Sequence, residues 1–415
     1  MSTKRIYLCL AHMSGKEQHF IQEAFDTNWV VPLGPNVNGF EADLEDFCGQ
    51  NKRVVALSAG TAAVHLGLLA CGVGPGDEVC VQSFTFCASS HPITYLGATP
   101  VFIDSEKETW NLDPELLEEA IKDRIAKTGK KPKAIVPVAL YGMPYKIDRI
   151  MEIANKYDIP VVEDAAEGFG SRFNGQVLGT FGKYGVLSFN GNKMITTSGG
   201  GALITENEDE WREIMMYATQ YRESYPYYQH EKIGYNYRMS NICAGIGRGQ
   251  MTVVNDHIAH HKHVQKLYEE LLKDVKGVTV HSQPATGEYD SNYWLCTICL
   301  DPDLKIKGQE NAYKTIVKGA VGGAAGVIHV ADSATTDCQP NDNVEALRVY
   351  MDAAGIEARP VWKPMHKQPV YKDAPAYVNG VSEAIFKVGM CLPAGPYVGD
   401  EDVKYIVDTI KSAIE

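Results

Sequence analysis

The stretch that decides the fold reads Leu187-Ser188-Phe189-Asn190-Gly191-Asn192-Lys193 and continues as Met194-Ile195-Thr196-Thr197-Ser198-Gly199-Gly200-Gly201. It predicts a strand that ends near Asn190, a turn that carries Lys193, and a second strand over 201–205. A lysine in a polar turn is usually just solvated. A lysine held beside a cationic cofactor in a partly buried pocket would instead have a lowered pKa and be nucleophilic. The neighbouring strand-to-loop junctions help to decide whether Lys193 is a solvated lysine or a lysine beside a cofactor.

Around this stretch, helix and strand patterns alternate from about residue 40 to 250. Strands separated by helices predict an α/β fold with a mostly parallel sheet between helices. In such sheets ligands collect at the carboxyl ends of the strands. We expect helices over 40–48, 61–71, 88–96 and 147–157, and strands over 54–57, 78–81, 100–104, 134–140, 160–163 and 186–190.

The C-terminal part of the chain predicts a second, smaller α/β domain. A length of 415 residues exceeds what one hydrophobic core usually serves. A helical stretch over roughly 240–275 ends the first domain, so we predict a large domain over 1–255 and a small one over 256–415. The small domain combines strands over 277–281 and 293–300 with helices over 309–320, 343–354 and 400–414.

Composition and charge exclude several classes of partner. The formal net charge of −13 repels nucleic acid and anionic membranes. No apolar run approaches the roughly 20 residues that span a bilayer, so we expect a cytoplasmic protein. An anionic ligand would therefore need a local cluster of basic groups and backbone N–H donors.

The cysteines and histidines do not predict a metal site. Ten cysteines lie mostly in apolar segments, which is typical of reduced, buried thiols. Cys296 and Cys299 fall on a predicted strand, where residues three apart face opposite sides. His257, His260 and His261 have helical spacing, and we interpret them as a solvated helix face.

Two further junctions favour a cofactor at Lys193. Ser58-Ala59-Gly60-Thr61 links a strand to a helix, whose N-terminus suits a phosphate. Asp164 ends the buried strand that begins near Val161, and a carboxylate there is costly unless it is paired. The Asp164 carboxylate could be paired in a salt bridge, could cap a helix N-terminus, or could accept from the ring N–H of a cofactor. A phosphate cradle, an acid and a lysine in this order are what pyridoxal phosphate (PLP) requires.

The sequence resembles the DegT-like family of nucleotide-sugar aminotransferases, which have the fold-type I PLP architecture. The resemblance runs over nearly the whole chain, and its motifs are Gly60-Thr61-Ala62-Ala63, Gly74-Pro75-Gly76-Asp77-Glu78-Val79, Thr85-Phe86, Glu163-Asp164-Ala165-Ala166, Ser188-Phe189, Asn192-Lys193 and Asn236-Tyr237-Arg238-Met239-Ser240. The resemblance implies that Lys193 is the catalytic, cofactor-bearing residue and that Asp164 pairs with the pyridinium nitrogen. It implies that Phe86 stacks on the ring and that Gly60, Thr61 and Ser188 hold the phosphate. Asn236 would reach the cofactor of a neighbouring subunit, which implies a homodimer with shared active sites.

Two segments, Asn28–Pro35 and Arg359–His366, are similar to enzymes that aminate 4-keto-6-deoxy sugars carried on UDP. Tryptophan offers a flat apolar face to a sugar or a base, and basic side chains offer the charge that a diphosphate needs. The residues assigned to the substrate on this resemblance are Asn28, Trp29, Arg359, Trp362, Lys363 and His366.

The sequence departs from the family pattern at two places. Glu167 stands where the family often has Gln, next to the 3-oxygen of the ring. An ionised carboxylate would be repelled there, so we predict that Glu167 is either protonated or turned away. The stretch over 320–343 is longer than the family usually carries and is rich in Gly and Ala near its start.

The leading hypothesis is a transaminase that moves an amino group, from glutamate as the donor, to a UDP-linked 4-keto-6-deoxy-2-acetamido sugar. Alternatives are a GDP- or dTDP-linked keto sugar and a non-catalytic regulatory homologue. Asp164, Lys193 and Asn236 together weigh against the regulatory homologue. A PLP-dependent dehydratase of the same fold is disfavoured, because such relatives replace the lysine with His. The glycines over 319–326 lack the G-x-G-x-x-G spacing of a dinucleotide-binding dehydrogenase.

Overall fold

The computed structural model describes residues 5–313 and 338–415. Its helices are α1 (Glu17–Asp26), α2 (Pro35–Cys48), α3 (Gly60–Ala70), α4 (His91–Tyr95), α5 (Pro114–Thr128), α6 (Ile147–Tyr157), α7 (Glu208–Ala218), α8 (Asn241–Met251), α9 (Val254–Leu272), α10 (Asp342–Ala353), α11 (Val381–Val388) and α12 (Asp400–Ala413). Its strands are β1 (Arg53–Leu57), β2 (Glu78–Gln82), β3 (Thr99–Ile103), β4 (Ala134–Val136), β5 (Val162–Asp164), β6 (Arg172–Phe173), β7 (Gln176–Val177), β8 (Tyr184–Ser188), β9 (Gly201–Thr205), β10 (Val278–Val280), β11 (Tyr289–Asp290), β12 (Cys296–Leu300), β13 (Arg359–Pro360), β14 (Ala376–Tyr377) and β15 (Gly389–Leu392).

The central sheet has the strand order β1-β9-β8-β5 on one side and β4-β2-β3-β14 on the other. Backbone hydrogen bonds from Asp164 to Pro137 and from Ile135 to Pro160 join the two halves through β4 and β5. Every neighbouring pair is parallel except those that β9 makes. The predicted mostly parallel sheet is therefore confirmed. The carboxyl ends of β5 and β8, which carry Asp164 and Ser188, lie next to each other at one edge.

Helices cover both faces of this sheet. Successive residues of a strand point to opposite faces. In β1, Val54 and Ala56 belong to one buried apolar cluster, and Val55 and Leu57 belong to another. A strand that is buried on both faces is typical of parallel α/β sheets. The polar ends of the strands, rather than their flanks, are therefore where a ligand can enter.

The C-terminal part forms a four-stranded antiparallel sheet in the order β10-β12-β15-β13. Its apolar core includes Val264 and Tyr268 from α9, residues of α10 and α12, and Ile6 from the other end of the chain. Helix α9 begins at Val254, so it runs through the predicted division at residue 255. That division stays a prediction.

Several predicted elements are bounded differently in the structure. The helical stretch over roughly 240–275 is divided into α8 and α9. The helix over 88–96 is a 3-10 turn (Cys87–Ser89) followed by α4, in which Pro92 occupies the first turn, where proline is tolerated. The strand over 134–140 ends at Val136, because Pro137 has no N–H to donate to the sheet. The helix over 309–320 begins as a 3-10 turn (Gln309–Asn311). Positions 314–320 of that prediction, and positions 320–337 of the 320–343 stretch, lie outside the described residues.

The interpretation of the α9 histidines as a solvated face is wrong. His257 and His261 are buried. Their rings are within hydrogen-bond distance of the carbonyls of Met194 and Tyr293, which gives each a polar partner inside the core. Burial lowers the pKa of His261 to about 3. Within 5–313 and 338–415, no group of three potential metal ligands occurs, and no helix is both long and apolar enough to span a membrane.

Candidate active site

A cavity of about 370 Å³ opens at the carboxyl ends of β1, β5 and β8. All three sequence junctions contribute to it: the start of α3, the end of β5 and the turn after β8. Its walls are formed by Ser58, Ala59, Gly60, Thr61, Val64, Thr85, Phe86, Ala88, Ser89, Val138, Asp164, Ala166, Glu167, Val186, Ser188, Asn190, Asn192, Lys193, Gly199, Gly200, Trp294 and Trp362. The structure thus brings together the predicted phosphate cradle, acid and lysine.

Lys193 projects from an anchored turn into this cavity. Its side chain is only 13% exposed, and Nζ donates a hydrogen bond of 3.2 Å to Oε1 of Glu167. Nζ also lies 3.9 Å from the ring centroid of Trp294, at cation–π distance. The Trp294 indole N–H donates to the carbonyl of Asn192 (2.6 Å), which fixes the turn beside the lysine. Lys193 is therefore a positioned amine and not the solvated lysine of a mobile turn.

Asp164 is a buried carboxylate with two donors from its own chain. Oδ2 accepts from the Ser89 hydroxyl at 2.6 Å, and Oδ1 accepts from the backbone N–H of Ala166 at 3.1 Å. Thr85 extends this network, since its hydroxyl lies 2.8 Å from that of Ser89. Burial raises the pKa of Asp164, and the bonds from Ser89 and Ala166 oppose that rise. The carboxylate faces a cavity in which a ring N–H would be a third donor.

The start of α3 forms an open anion cradle. Its N-cap residue, Ala59, has no side chain that could bond the free N–H groups of the first turn. A Cβ at Gly60 would lie 3.0 Å from Cβ of Ser188, so the glycine allows the helix start to approach the end of β8. A Cβ at Gly201 would collide with the backbone nitrogen of Gly60. Small residues on both sides therefore leave the N–H groups accessible to a phosphate.

Glu167 faces the cavity, so the alternative in which it turns away is wrong. Oε1 accepts from Lys193, and Oε2 accepts from the backbone N–H of Tyr141 at 2.8 Å. Both oxygens of the Glu167 carboxyl thus accept hydrogen bonds from groups that border the cavity. The protonation of Glu167 beside a bound cofactor stays a prediction.

An aromatic wall closes one side of the cavity. The rings of Phe86 and Trp362 lie 5.4 Å apart between centroids, and Trp362 stacks on Tyr141 at 6.1 Å with an interplanar angle of 23°. Phe86 is 49% exposed, so its face is available to a ligand.

The other predicted substrate residues do not line the cavity of a single chain. The His366 ring bridges the Ser83 hydroxyl (2.7 Å) and a Glu383 oxygen (3.2 Å), which makes it a structural link between two segments. Arg359 pairs with Glu357 at 2.7 Å. The remaining residues outside the cavity are Asn28, Trp29, Asn236 and Lys363. Asn236 is exposed, and its assignment to a neighbouring subunit's cofactor stays a prediction.

The residues of the site that were not predicted from the sequence include Ser89, Tyr141 and Trp294. Ser89 was placed within the helix over 88–96, and nothing in its local pattern indicates a bond to a residue 75 positions later. Trp294 had one usable signal, because a tryptophan is costly to bury unless its N–H finds a partner.

Comparison with known proteins identifies this arrangement. The sequence profile of the DegT/DnrJ/EryC1/StrS aminotransferase family matches residues 12–321 and 326–411. The chain is 40% identical over 411 residues to EpsN of Bacillus subtilis (strain 168), and the match covers 98% of this chain and 95% of that protein. The name of EpsN places it provisionally among pyridoxal phosphate-dependent aminotransferases. The chain is 33% identical over 411 residues to GDP-perosamine synthase of Caulobacter vibrioides, covering 99% and 98%. The crystal structure of a DegT DnrJ EryC1 StrS aminotransferase from Brucella abortus superposes with a TM-score of 0.81 at 27% identity, covering 96% of this chain and 95% of that one.

The fold and the site together define a fold-type I PLP-dependent enzyme. The chain belongs to the DegT/DnrJ/EryC1/StrS aminotransferase family, and it is accordingly a PLP-dependent aminotransferase. The residues present fit that cofactor, since an open helix start, a buried acid and a positioned lysine converge on one cavity.

Proposed function

We propose that this enzyme transfers the amino group of an amino acid, with glutamate as the donor, to the C4 ketone of a nucleotide-linked 4-keto-6-deoxy sugar. The first candidate is the UDP-linked 2-acetamido sugar. The observation that carries the proposal is the convergence of Lys193, Asp164 and the start of α3 on a cavity walled by Trp362 and Phe86. An amine, an acid and an anion cradle serve transamination; Phe86 offers its face to the cofactor ring, and Trp362 offers a flat apolar face to a sugar or a base.

Each polar residue has a distinct task in this proposal. PLP, when bound, supplies the electron sink for the carbon that loses its proton. Asp164 holds a hydrogen bond at the ring nitrogen and keeps that nitrogen protonated. Lys193 Nζ moves a proton to and from the reacting carbon as a general base and acid. The N–H groups of Gly60 and Thr61, with the Ser188 hydroxyl, orient the phosphate.

A GDP-linked sugar is the second candidate, and the 33% identity to a GDP-perosamine synthase favours it. Incubation of the purified enzyme with glutamate, PLP and a panel of UDP-, GDP- and dTDP-linked 4-keto-6-deoxy sugars separates the candidates. Mass spectrometry would detect replacement of the ketone oxygen by an amino group. Amination of the UDP-linked sugar above the others supports the first candidate. A preference for the GDP-linked sugar favours the second, and no amination of any member contradicts the proposal.

We further propose that the enzyme works as a homodimer with shared sites. Large apolar side chains are exposed on a single chain at Trp29, Val30, Leu33, Tyr228 and Ile233, the last of which is 84% exposed. These residues flank the predicted trans-acting Asn236 in sequence or belong to the predicted substrate segment. Mixing two impaired variants, Lys193→Ala and Asn236→Ala, tests this arrangement. Co-expression should restore part of the activity, because a mixed dimer contains one intact site. No recovery in a verified mixed dimer would contradict the proposal.

A further inference from the structure

Tyr141 has an unusual backbone conformation for a large residue at the edge of an active site. Its φ is +54° and its ψ is 16°, within the 3-10 turn Leu140–Gly142. A bulky residue at positive φ is uncommon and costs free energy, so the surrounding structure must hold it there. Gly142 follows at φ +96°, and a Cβ there would collide with the Asn292 side chain. The conformation of the turn is therefore restricted at both Tyr141 and Gly142.

This conformation lets one residue bond to two different parts of the site. The backbone N–H of Tyr141 donates to Oε2 of Glu167 (2.8 Å), whose other oxygen accepts from Lys193. At the far end of the side chain, the hydroxyl accepts the backbone N–H of Trp362 at 2.7 Å. The Tyr141 ring also stacks on the ring of Trp362. Tyr141 thus links the two parts covalently: its backbone is hydrogen-bonded to the Glu167 carboxyl beside Lys193, and its hydroxyl is hydrogen-bonded to the aromatic wall.

Among the described residues, the other backbone N–H groups of the Trp362 segment that donate to backbone carbonyls lie on its flanks. Val361 donates to the carbonyl of Gly389 at 3.2 Å, and Met365 donates to the carbonyl of Ser83 at 2.8 Å. The Tyr141 hydroxyl is the bond at Trp362 itself. Because Tyr141 is buried at 5% exposure, water cannot readily replace the hydroxyl.

We propose that Tyr141 is a positioning residue for the acceptor substrate: its hydroxyl sets the distance between the Trp362 wall and the Lys193 amine. This inference rests on the proposed function, because it assumes that the wall receives the sugar nucleotide. The backbone N–H of Tyr141 bonds to Glu167, which accepts from Lys193, and the Tyr141 hydroxyl accepts from the backbone of Trp362. Removing the hydroxyl alone therefore separates the two tasks.

The test compares Tyr141→Phe with Tyr268→Phe. Tyr268 is a matched control, since it is also buried and its hydroxyl bonds to a backbone carbonyl, that of Pro393, at 2.9 Å. It lies in the C-terminal core and does not line the cavity. The amination half-reaction is measured with the UDP- and GDP-linked 4-keto-6-deoxy sugars, and the donor half-reaction with glutamate. Hydrogen exchange of the peptide that contains Trp362 is measured without any substrate.

In Tyr141→Phe we expect the Trp362 amide to exchange faster and kcat/KM for the sugar to fall about threefold to tenfold, the equivalent of one lost hydrogen bond. The loss should fall more heavily on the acceptor half-reaction than on the donor half-reaction. Tyr268→Phe should change neither the exchange at Trp362 nor this ratio. Equal losses in both half-reactions, or unchanged exchange at Trp362, would overturn the inference. If the wild type aminates no sugar, the proposed function fails, and the exchange of Trp362 still decides whether Tyr141 holds the wall.

Discussion

Replacement of Ser89 by alanine isolates the contribution of one hydroxyl to the state of Asp164. The hydroxyl donates to Oδ2 at 2.6 Å, and Asp164 is only 4% exposed. A hydrogen bond to a charged group contributes about 1.5–3 kcal/mol, against about 0.5–1.5 kcal/mol for a neutral pair. Water in the cavity replaces part of the lost bond, so we expect the free energy of unfolding of the cofactor-free protein to fall by about 1.5 kcal/mol at pH 8.

The sign of the pH dependence follows from the raised pKa of Asp164. Burial raises this pKa above its unfolded value. The stability that the group contributes is therefore largest at low pH and is lost as the pH rises through the folded pKa. The Ser89 bond reduces that loss by stabilising the ionised form. Without it, the pKa rises further, and Ser89→Ala should lose more stability at pH 8 than at pH 4.5.

Urea denaturation of the cofactor-free protein at the two pH values measures this difference. Ser90→Ala is the matched control, because Ser90 is also buried and its hydroxyl donates to the carbonyl of Cys87 rather than to Asp164. The other titrating groups are common to all three proteins and cancel in the comparison. A Ser89→Ala loss that is the same at both pH values, or that matches Ser90→Ala, would refute the reasoning.

Two further substitutions test the surroundings of Lys193 and the role of the Trp362 ring. Glu167→Gln replaces the carboxyl that lies 3.2 Å from Lys193 Nζ with a neutral amide. Because Glu167 is predicted to be protonated beside the cofactor, the midpoint of the pH titration of the visible cofactor absorbance should stay unchanged; a midpoint that falls to lower pH would show that the substitution removes a negative charge. Trp362→Ala removes the flat apolar face, so the KM for the sugar nucleotide should rise about tenfold, whereas Trp362→Phe should retain most of the affinity. Steady-state kinetics with the preferred sugar would show whether the two variants differ.

The sequence correctly predicts that the three strand-to-loop junctions meet, because their meeting depends on local geometry. Lys193, Asp164 and Gly60 all lie where a predicted strand meets a loop. In a parallel sheet those junctions meet at one edge whatever the details of packing. The positions of the motifs at the ends of predicted strands were therefore enough to predict that these residues lie close together.

The remainder of the site depends on contacts between distant segments, which local patterns do not encode. Tyr141 bonds to a residue 221 positions later, and its positive φ has no signal in a bulky aromatic residue. The histidines of α9 show the same limit, since helical spacing was correct but burial was not. His257 is buried because the carbonyl of Met194 offers its ring a partner, a fact of tertiary packing.

Lys193 is proposed to bear the cofactor, and covalent trapping of the cofactor can identify the lysine that carries it. The enzyme loaded with PLP is treated with borohydride, digested and analysed by peptide mass spectrometry, which locates the reduced cofactor on one lysine. We expect the added mass on the peptide that contains Lys193. We expect no such mass at Lys183, which is ion-paired with Glu210 at 2.9 Å and does not line the cavity. Cofactor mass on another lysine, with Lys193 unmodified, would contradict the account.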